Sequence, residues 1–240
     1  LKHLASKDVM VWAKDREVQD IVELHQWDGA IKFPVCKTQR CRVDYLYVVE
    51  ANVGINKANC CIDRKVQYEV WLNDDATATS SARVEYTNNN PVTPQPPKYY
   101  GGGYNNFLRL IRDQLWTLID VQRDGQSLDM KNIVGEVDTI SHATSSGMLA
   151  DEGGGESHAF TYRYMHEKRF DYAKAQEYIL KIQKQPGLHT NEYEVVVHVP
   201  QKTMIKNVDT SFAYELTEHQ LHMHTLVDRD LTLSFTVLPQ

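Results

Sequence analysis

The feature that most constrains this chain is strict alternation. In KVQYEVWL, Val66, Tyr68, Val70 and Leu72 recur at every second position, while Gln67 and Glu69 fall between them. Successive side chains of a strand point to opposite faces, so this pattern buries one face and wets the other. The same period recurs in SARVEYTN (Ala82, Val84, Tyr86), HAFTYRYM (Phe160, Tyr162, Tyr164) and QEYILKI (Tyr178, Leu180, Ile182). It returns in YEVVVHV (Tyr193, Val195, Val197, Val199) and LTLSFTVL (Leu231, Leu233, Phe235, Val237). FLRLI (107–111) and WTLIDVQ (116–122) add two more strands, and turn signals stand at NDD (73–75), Asp124–Gly125 and Pro186–Gly187. About nine or more strands at such spacing predict immunoglobulin-like antiparallel β-sandwich modules.

The first third reads differently. DVMVWA (8–13) predicts a short buried strand. Asp15 then caps a helix over 16–26, with Val18, Ile21, Val22 and His25 on one face. A WDG turn follows, and VDYLYVVEANVG (43–54) predicts a buried strand running into a glycine turn. The fold expected is therefore mainly β: a small N-terminal α/β segment over 1–64, a first sandwich over 65–170, and a second sandwich or its remainder over 171–240. Residues 88–106, with four prolines and three consecutive glycines, predict a long surface loop inside the first sandwich. The polar, glycine-rich stretch 138–157 reads as another irregular connection.

Composition narrows the function classes. A chain of 240 residues with 42% hydrophobic and 24% charged residues can bury a sizeable core. A net charge of -6 offers no clustered basic face for nucleic acid. No apolar run approaches the ~18–20 residues that cross a bilayer, so the piece is expected to be soluble. The chain starts at Leu1 without a leader, which reads as part of a longer protein.

Candidate chemistry is sparse. Cys36 and Cys41 flank KTQR at a spacing that a small disulfide loop can close, the alternative being free thiols. Cys60 and Cys61 are adjacent, and vicinal disulfides are strained and rare. His222 and His224 would share a strand face as a metal-binding pair does, but spacing fixes no third ligand, so a cross-strand or solvated pair is the plainer reading. Asp74 and Asp75 sit at a hairpin tip without the spaced oxygen ligands of a calcium loop. Asp228, Arg229 and Asp230 read as a turn with a surface ion pair. Serine-hydrolase and zinc-protease motifs do not occur, and GGGY (101–104) and EGGGES (152–157) lack a phosphate loop's lysine. No cofactor is implied. Tyr99, Tyr100 and Tyr104 in the Pro/Gly loop can anchor a protein or sugar, or simply pin the loop. Asn52, Asn56 and Lys57 in ANVGINK can line a ligand site beside Asp44 and Glu50, or cap a tight turn.

Several blocks carry a resemblance. DYLYVVEANVGINKANCCIDRKVQYEV is similar to the most distinctive block of the bacterial family catalogued as domain of unknown function 4012. KDREVQDIVELHQWDG, YILKIQKQPG and DRDLTLSFTV resemble its helix-and-turn, Q-K-Q-P-G and closing-strand segments in the same order. Cys60 and Cys61 stand where that family usually carries two tyrosines. The resemblance implies the later extracytoplasmic part of a membrane-anchored bacterial surface protein. The expectation is a non-catalytic structural, adhesive or partner-binding module of the cell envelope. Its partner would be a protein, a cell-wall polymer or a second copy. The alternative is an enzyme or ligand-binding protein of cell-wall metabolism, with its site at the junction of the α/β segment and the first sandwich.

Overall fold

A computed structural model describes residues 2–36, 38, 40–54, 56–93, 102–167, 170–188 and 191–240. In chain order its helices are α1 (Lys2–Ala5) and α2 (Arg16–Leu24). Its strands begin with β1 (Cys41–Asn52), β2 (Ile62–Leu72), β3 (Ala78–Asn88), β4 (Tyr104–Asp113) and β5 (Trp116–Arg123). They continue with β6 (Gln126–Ser127), β7 (Val134–Asp138), β8 (Ala143–Glu152), β9 (Ser157–His166) and β10 (Gln176–Gln183). The last are β11 (Asn191–His198), β12 (Thr203–Thr210), β13 (Glu215–Leu216), β14 (Gln220–Val227) and β15 (Leu231–Pro239).

The strands form two sheets, ordered β12-β15-β10-β1-β4-β8-β7 and β13-β14-β11-β2-β3-β9-β5-β6. The alternating residues named above supply the core, since Val66, Tyr68, Val84, Tyr162, Leu180, Val195 and Leu233 all belong to one buried cluster between the sheets. The mainly β expectation holds. The purely antiparallel one does not: β1 pairs parallel with β10, and β2 pairs parallel with β11. The reason is topological. β1 leaves the first sheet and β2 enters the second, and β10 and β11 make the same crossing, so two strand–turn–strand arches lie side by side with equal polarity.

The boundaries expected at 64/65 and 170/171 are likewise not where the structure divides. The first sheet draws strands from all three expected segments, the second from both sides of 170/171 with β2 running through 64/65, and the buried cluster runs from Leu46 to Val237. Period-two patterns reveal strands but not their partners, which is why one interleaved unit reads as consecutive modules.

Three local expectations change. Residues 8–13 are not a strand, and Val9, Met10 and Trp12 stand exposed. The helix forms with Asp15 accepting the Val18 N–H, but it ends at Leu24 and buries Gln19 and Val22, leaving Val18 and Ile21 about half exposed. The stretch 138–157 contains the whole of β8, whose Gly147 is required by packing: a Cβ there would lie 2.7 Å from Arg109 Cγ. The N-terminal segment also covers the outer face of the first sheet, where Ile31 and Phe33 pack on Tyr45, Tyr47 and Ile111. That is why β1 is buried on both sides, and why its run of apolar residues does not alternate.

Candidate functional site

The sequence places Asp44 and Glu50 at inward positions of β1, in step with Leu46 and Val48. Each then needs a partner inside the core, because an unpaired buried charge is costly. The structure supplies one at each end of the strand. Asp44 Oδ1 accepts from Arg112 Nη2 at 2.8 Å, and its Oδ2 accepts from the Tyr68 and Tyr178 hydroxyls at 2.6 Å each. Arg112, also without solvent exposure, donates to Ser80 Oγ and lies 4.4 and 4.7 Å from the Trp116 and Tyr164 ring centres. At the other end, Glu50 accepts from Arg64 Nε at 2.6 Å, Tyr104 Oη at 2.9 Å and Tyr86 Oη at 3.1 Å.

This second network lies beneath a cluster of turns. The Gln185 side chain, from the QKQPG turn after β10, donates to the Glu50 carbonyl and accepts from the Glu50 N–H at 2.8 and 2.7 Å. It stitches the turns of the two arches across 135 residues of sequence. Beside it, Asn52 Oδ1 accepts the Gly54 N–H, and Asn52 Nδ2 donates to Asn56 Oδ1 and Asn59 Oδ1. Asn56 Nδ2 donates to the Gly103 carbonyl. Asn88 Nδ2 donates to the carbonyls of Gly102 and Glu152, and Asn90 Nδ2 to that of Ala58. Asn52 and Asn56 are therefore occupied in holding turns. Lys57 is exposed at the start of the 3₁₀ turn Ala58–Cys61.

Under the same turns lies an unsatisfied group. Glu152 is 1% exposed and neither carboxylate oxygen has a hydrogen-bond partner. Burial, with the nearby charges of Asp151 and Glu50, pushes its carboxyl up to about 8, although Arg123 pulls the other way. The group is thus held neutral at neutral pH.

The remaining candidates fall elsewhere. Tyr104 is fully buried as the first residue of β4 and not a loop contact, because its hydroxyl is committed to Glu50. Tyr99 and Tyr100 lie outside the described residues. His222 and His224 share the outer face of β14 and pair across to β11, at 3.2 Å from Glu194 and 3.0 Å from Glu192. Among the described residues no group of three or more His, Cys, Asp or Glu side chains could hold a metal. Cys36 and Cys41 form a disulfide with Cα atoms 5.7 Å apart. A neighbouring cavity of about 250 Å³ is lined by Pro34, Arg42, Asp113, His166 and Phe170. Asp230 was expected in a surface turn and is instead mostly buried. It bonds Lys7 at 2.7 Å, stands 3.5 Å from Lys181 and accepts the Lys184 N–H.

Sequence reasoning missed Arg112, Arg64 and Gln185. Both arginines occupy inward positions of alternating strands, beside Leu110 and Val66, which was a readable sign of a buried ionic partner.

The surface holds a second kind of site. Residues 9–24 expose Met10 by 53%, Trp12 by 76%, Ile21 by 54% and Leu24 by 77%. The segment runs beside α2, with the Val11 N–H on the Trp27 carbonyl and the Ala13 N–H on Gln19 Oε1. No helix of the described residues is long and apolar enough to cross a membrane.

No protein-family model and no curated protein matches the chain. Among solved structures it is similar to a candidate nutrient-binding protein of Legionella pneumophila, with a TM-score of 0.49, 7% identity, and 80% of this chain and 70% of that one covered. It is also similar to an M1 zinc metallopeptidase from Deinococcus radiodurans, with a TM-score of 0.36, 10% identity and 75% and 43% covered. A third is yeast LTA4 hydrolase, with a TM-score of 0.42, 6% identity and 77% and 31% covered. The chain spans less than half of either hydrolase, and likeness at this level says nothing of its own activity or ligand.

Proposed function

We propose that the chain is a rigid, non-catalytic module that works by self-association through its N-terminal apolar face, as a spacer or assembly unit of the bacterial cell envelope. The observation that carries this is the exposure of Val9, Met10, Trp12, Val18, Ile21 and Leu24 on one short segment. Contiguous apolar surface of several hundred Å² is rare on monomers and marks an interaction site. Trp12 alone offers on the order of 150 Å². Six such side chains approach the ~800 Å² that each partner contributes to a standard interface. A second copy is the simplest occupant, since a helix stripe such as Val18, Ile21 and Leu24 can meet its own image across a two-fold axis. The envelope location is supported by the resemblance to the bacterial family, and the Cys36–Cys41 disulfide is compatible with it.

The reading is tested by sedimentation equilibrium of the whole chain. Dimer formation should strengthen with concentration and fall at least tenfold in Ile21→Glu and in Trp12→Ser, with unchanged melting temperatures because both positions are solvent-facing. A wild-type chain that stays monomeric at about 1 mM, where even a contact of about 4 kcal/mol would be half formed, would overturn it, as would a dimer indifferent to both substitutions.

A further inference from the structure

A sheet ends in edges whose unpaired N–H and C=O groups can template another strand, and proteins blunt such edges with short strands, bulges or covering segments. Three of the four edges here are blunted. β6 and β13 are two residues long, and β5, which β6 only partly covers, is bulged between Leu118 and Asp120. β12 shifts register between Lys206 and Asp209, and its Ile205 N–H is taken by the Glu218 carbonyl. The fourth edge is β7. It pairs with β8 in unbroken register on one side, and among the described residues no strand pairs with it on the other. All five of its residues are exposed.

Register fixes which side chains a further strand would meet, because residues opposite one another in a pair share a face. Gly135 and Val137 lie opposite Ser146 and Thr144, on the side of β8 that carries Met148 and Ala150 into the core. Val134, Glu136 and Asp138 alternate with them and belong to the outer side. On the core side a cleft of about 340 Å³ opens between the ends of the two sheets. Trp116, Leu118, Ile133, Gly135 and Val137 line it, with Glu136 also on its wall. A Cβ added at Gly135 would meet nothing within 4 Å, so the edge is clear of other groups there. A strand laid along β7 would therefore set every second side chain beside the apolar cleft and the others beside two carboxylates.

We propose that β7 is a docking edge for an extended peptide segment in which apolar and basic residues alternate, added as an eighth strand of the first sheet. Main-chain hydrogen bonds give such an addition its affinity, and the alternate side chains give it specificity. Here the cleft takes the apolar residues, while Glu136 and Asp138 select lysine or arginine between them. A second copy of this chain is a poor occupant of the edge. In an antiparallel pair of two β7 strands centred on their middle residue, Glu136 would face its own image, and like charges directly opposite are destabilising.

The test titrates the isotope-labelled whole chain with the synthetic peptide TVKVKVT, blocked at both termini, and reads backbone amide shifts. One site is expected, with shifts centred on residues 134–138 and slower hydrogen exchange at alternate amides of β7. The acidic peptide TVEVEVT should bind at least tenfold more weakly. So should TVKVKVT carrying N-methyl groups on two adjacent central residues, which cannot complete the ladder. Glu136→Lys, at an exposed position, should keep the wild-type melting temperature and lose the preference for the basic peptide. Absence of shifts at millimolar peptide, shifts centred on β12 or another edge, equal affinity for the basic and acidic peptides, or a preference unchanged in Glu136→Lys would each overturn the proposal.

Discussion

Asp44 and Arg112 face each other in the middle of the protein with no solvent exposure on either, and this pair sets the terms for any substitution nearby. Burying two charges costs several kcal/mol per ion before their attraction is counted, so the pair is no simple source of stability. Removing one partner is another matter. Arg112→Met would strand a carboxylate held by two tyrosines, and is expected to cost about 3–5 kcal/mol in urea unfolding. Tyr178→Phe removes one of the hydrogen bonds to Asp44 and should cost about 1–3 kcal/mol, because Tyr68 and Arg112 remain. Glu152 poses the opposite problem. Its folded carboxyl sits near 8 against an ordinary 4.5, so the fold favours the neutral form. That advantage is complete below pH 4.5 and is lost as pH rises through about 8, by at most about 4–5 kcal/mol before partial screening. Glu152→Gln should therefore match wild type near pH 4 and melt at a higher temperature at pH 9. Identical melting profiles for the two proteins across this range would show that the carboxyl is already ionised in the fold.

Among elements, the two parallel arches are the distinctive feature, and Gln185 is the side chain that joins their turns. A glutamine amide matches a backbone N–H and C=O at once, as a strand neighbour would, and so continues the β1–β10 ladder past its last residue pair. Gln185→Leu leaves both Glu50 backbone groups without partners and should cost about 1–3 kcal/mol. Faster hydrogen exchange is expected at Glu50 and Ala51 while the β2–β3 ladder stays protected, and unchanged exchange at Glu50 would remove Gln185 from this role. The strands themselves were readable because Val66 to Leu72 and Leu231 to Val237 have one wet face and one dry face. The pairing was not readable, because β1 is buried on both faces and neither an amide stitch nor a parallel neighbour leaves a periodic mark. Gly147 and the Pro/Gly stretch show the complementary failure. A glycine reads as a break, yet within β8 it answers the close approach of Phe107 and Arg109. Tyr104 was legible as an aromatic in a loop, and only the strand that begins with it makes it a buried partner of Glu50.

For the whole molecule, interleaving decides how it must unfold. The sheet order places β1, from the first third of the chain, between β10 and β4, and β2 between β11 and β3. Removing residues 1–64 would open the first sheet at its middle, exposing both flanking edges and the apolar faces of Leu108, Leu180 and Val195 together. The two neighbours of β1, β10 parallel to it and β4 antiparallel, would each lose a full ladder of backbone hydrogen bonds. The unit should therefore melt in one cooperative transition, with calorimetric and van't Hoff enthalpies equal within error. A fragment of residues 65–240 should be unfolded or aggregated, as expected when long unpaired edges are exposed. Were the chain built instead of consecutive modules, that fragment would give dispersed amide resonances and at least one transition at the wild-type temperature. Such a result would separate the sheets into independent units and remove the rigid-body premise on which presentation of the N-terminal face depends.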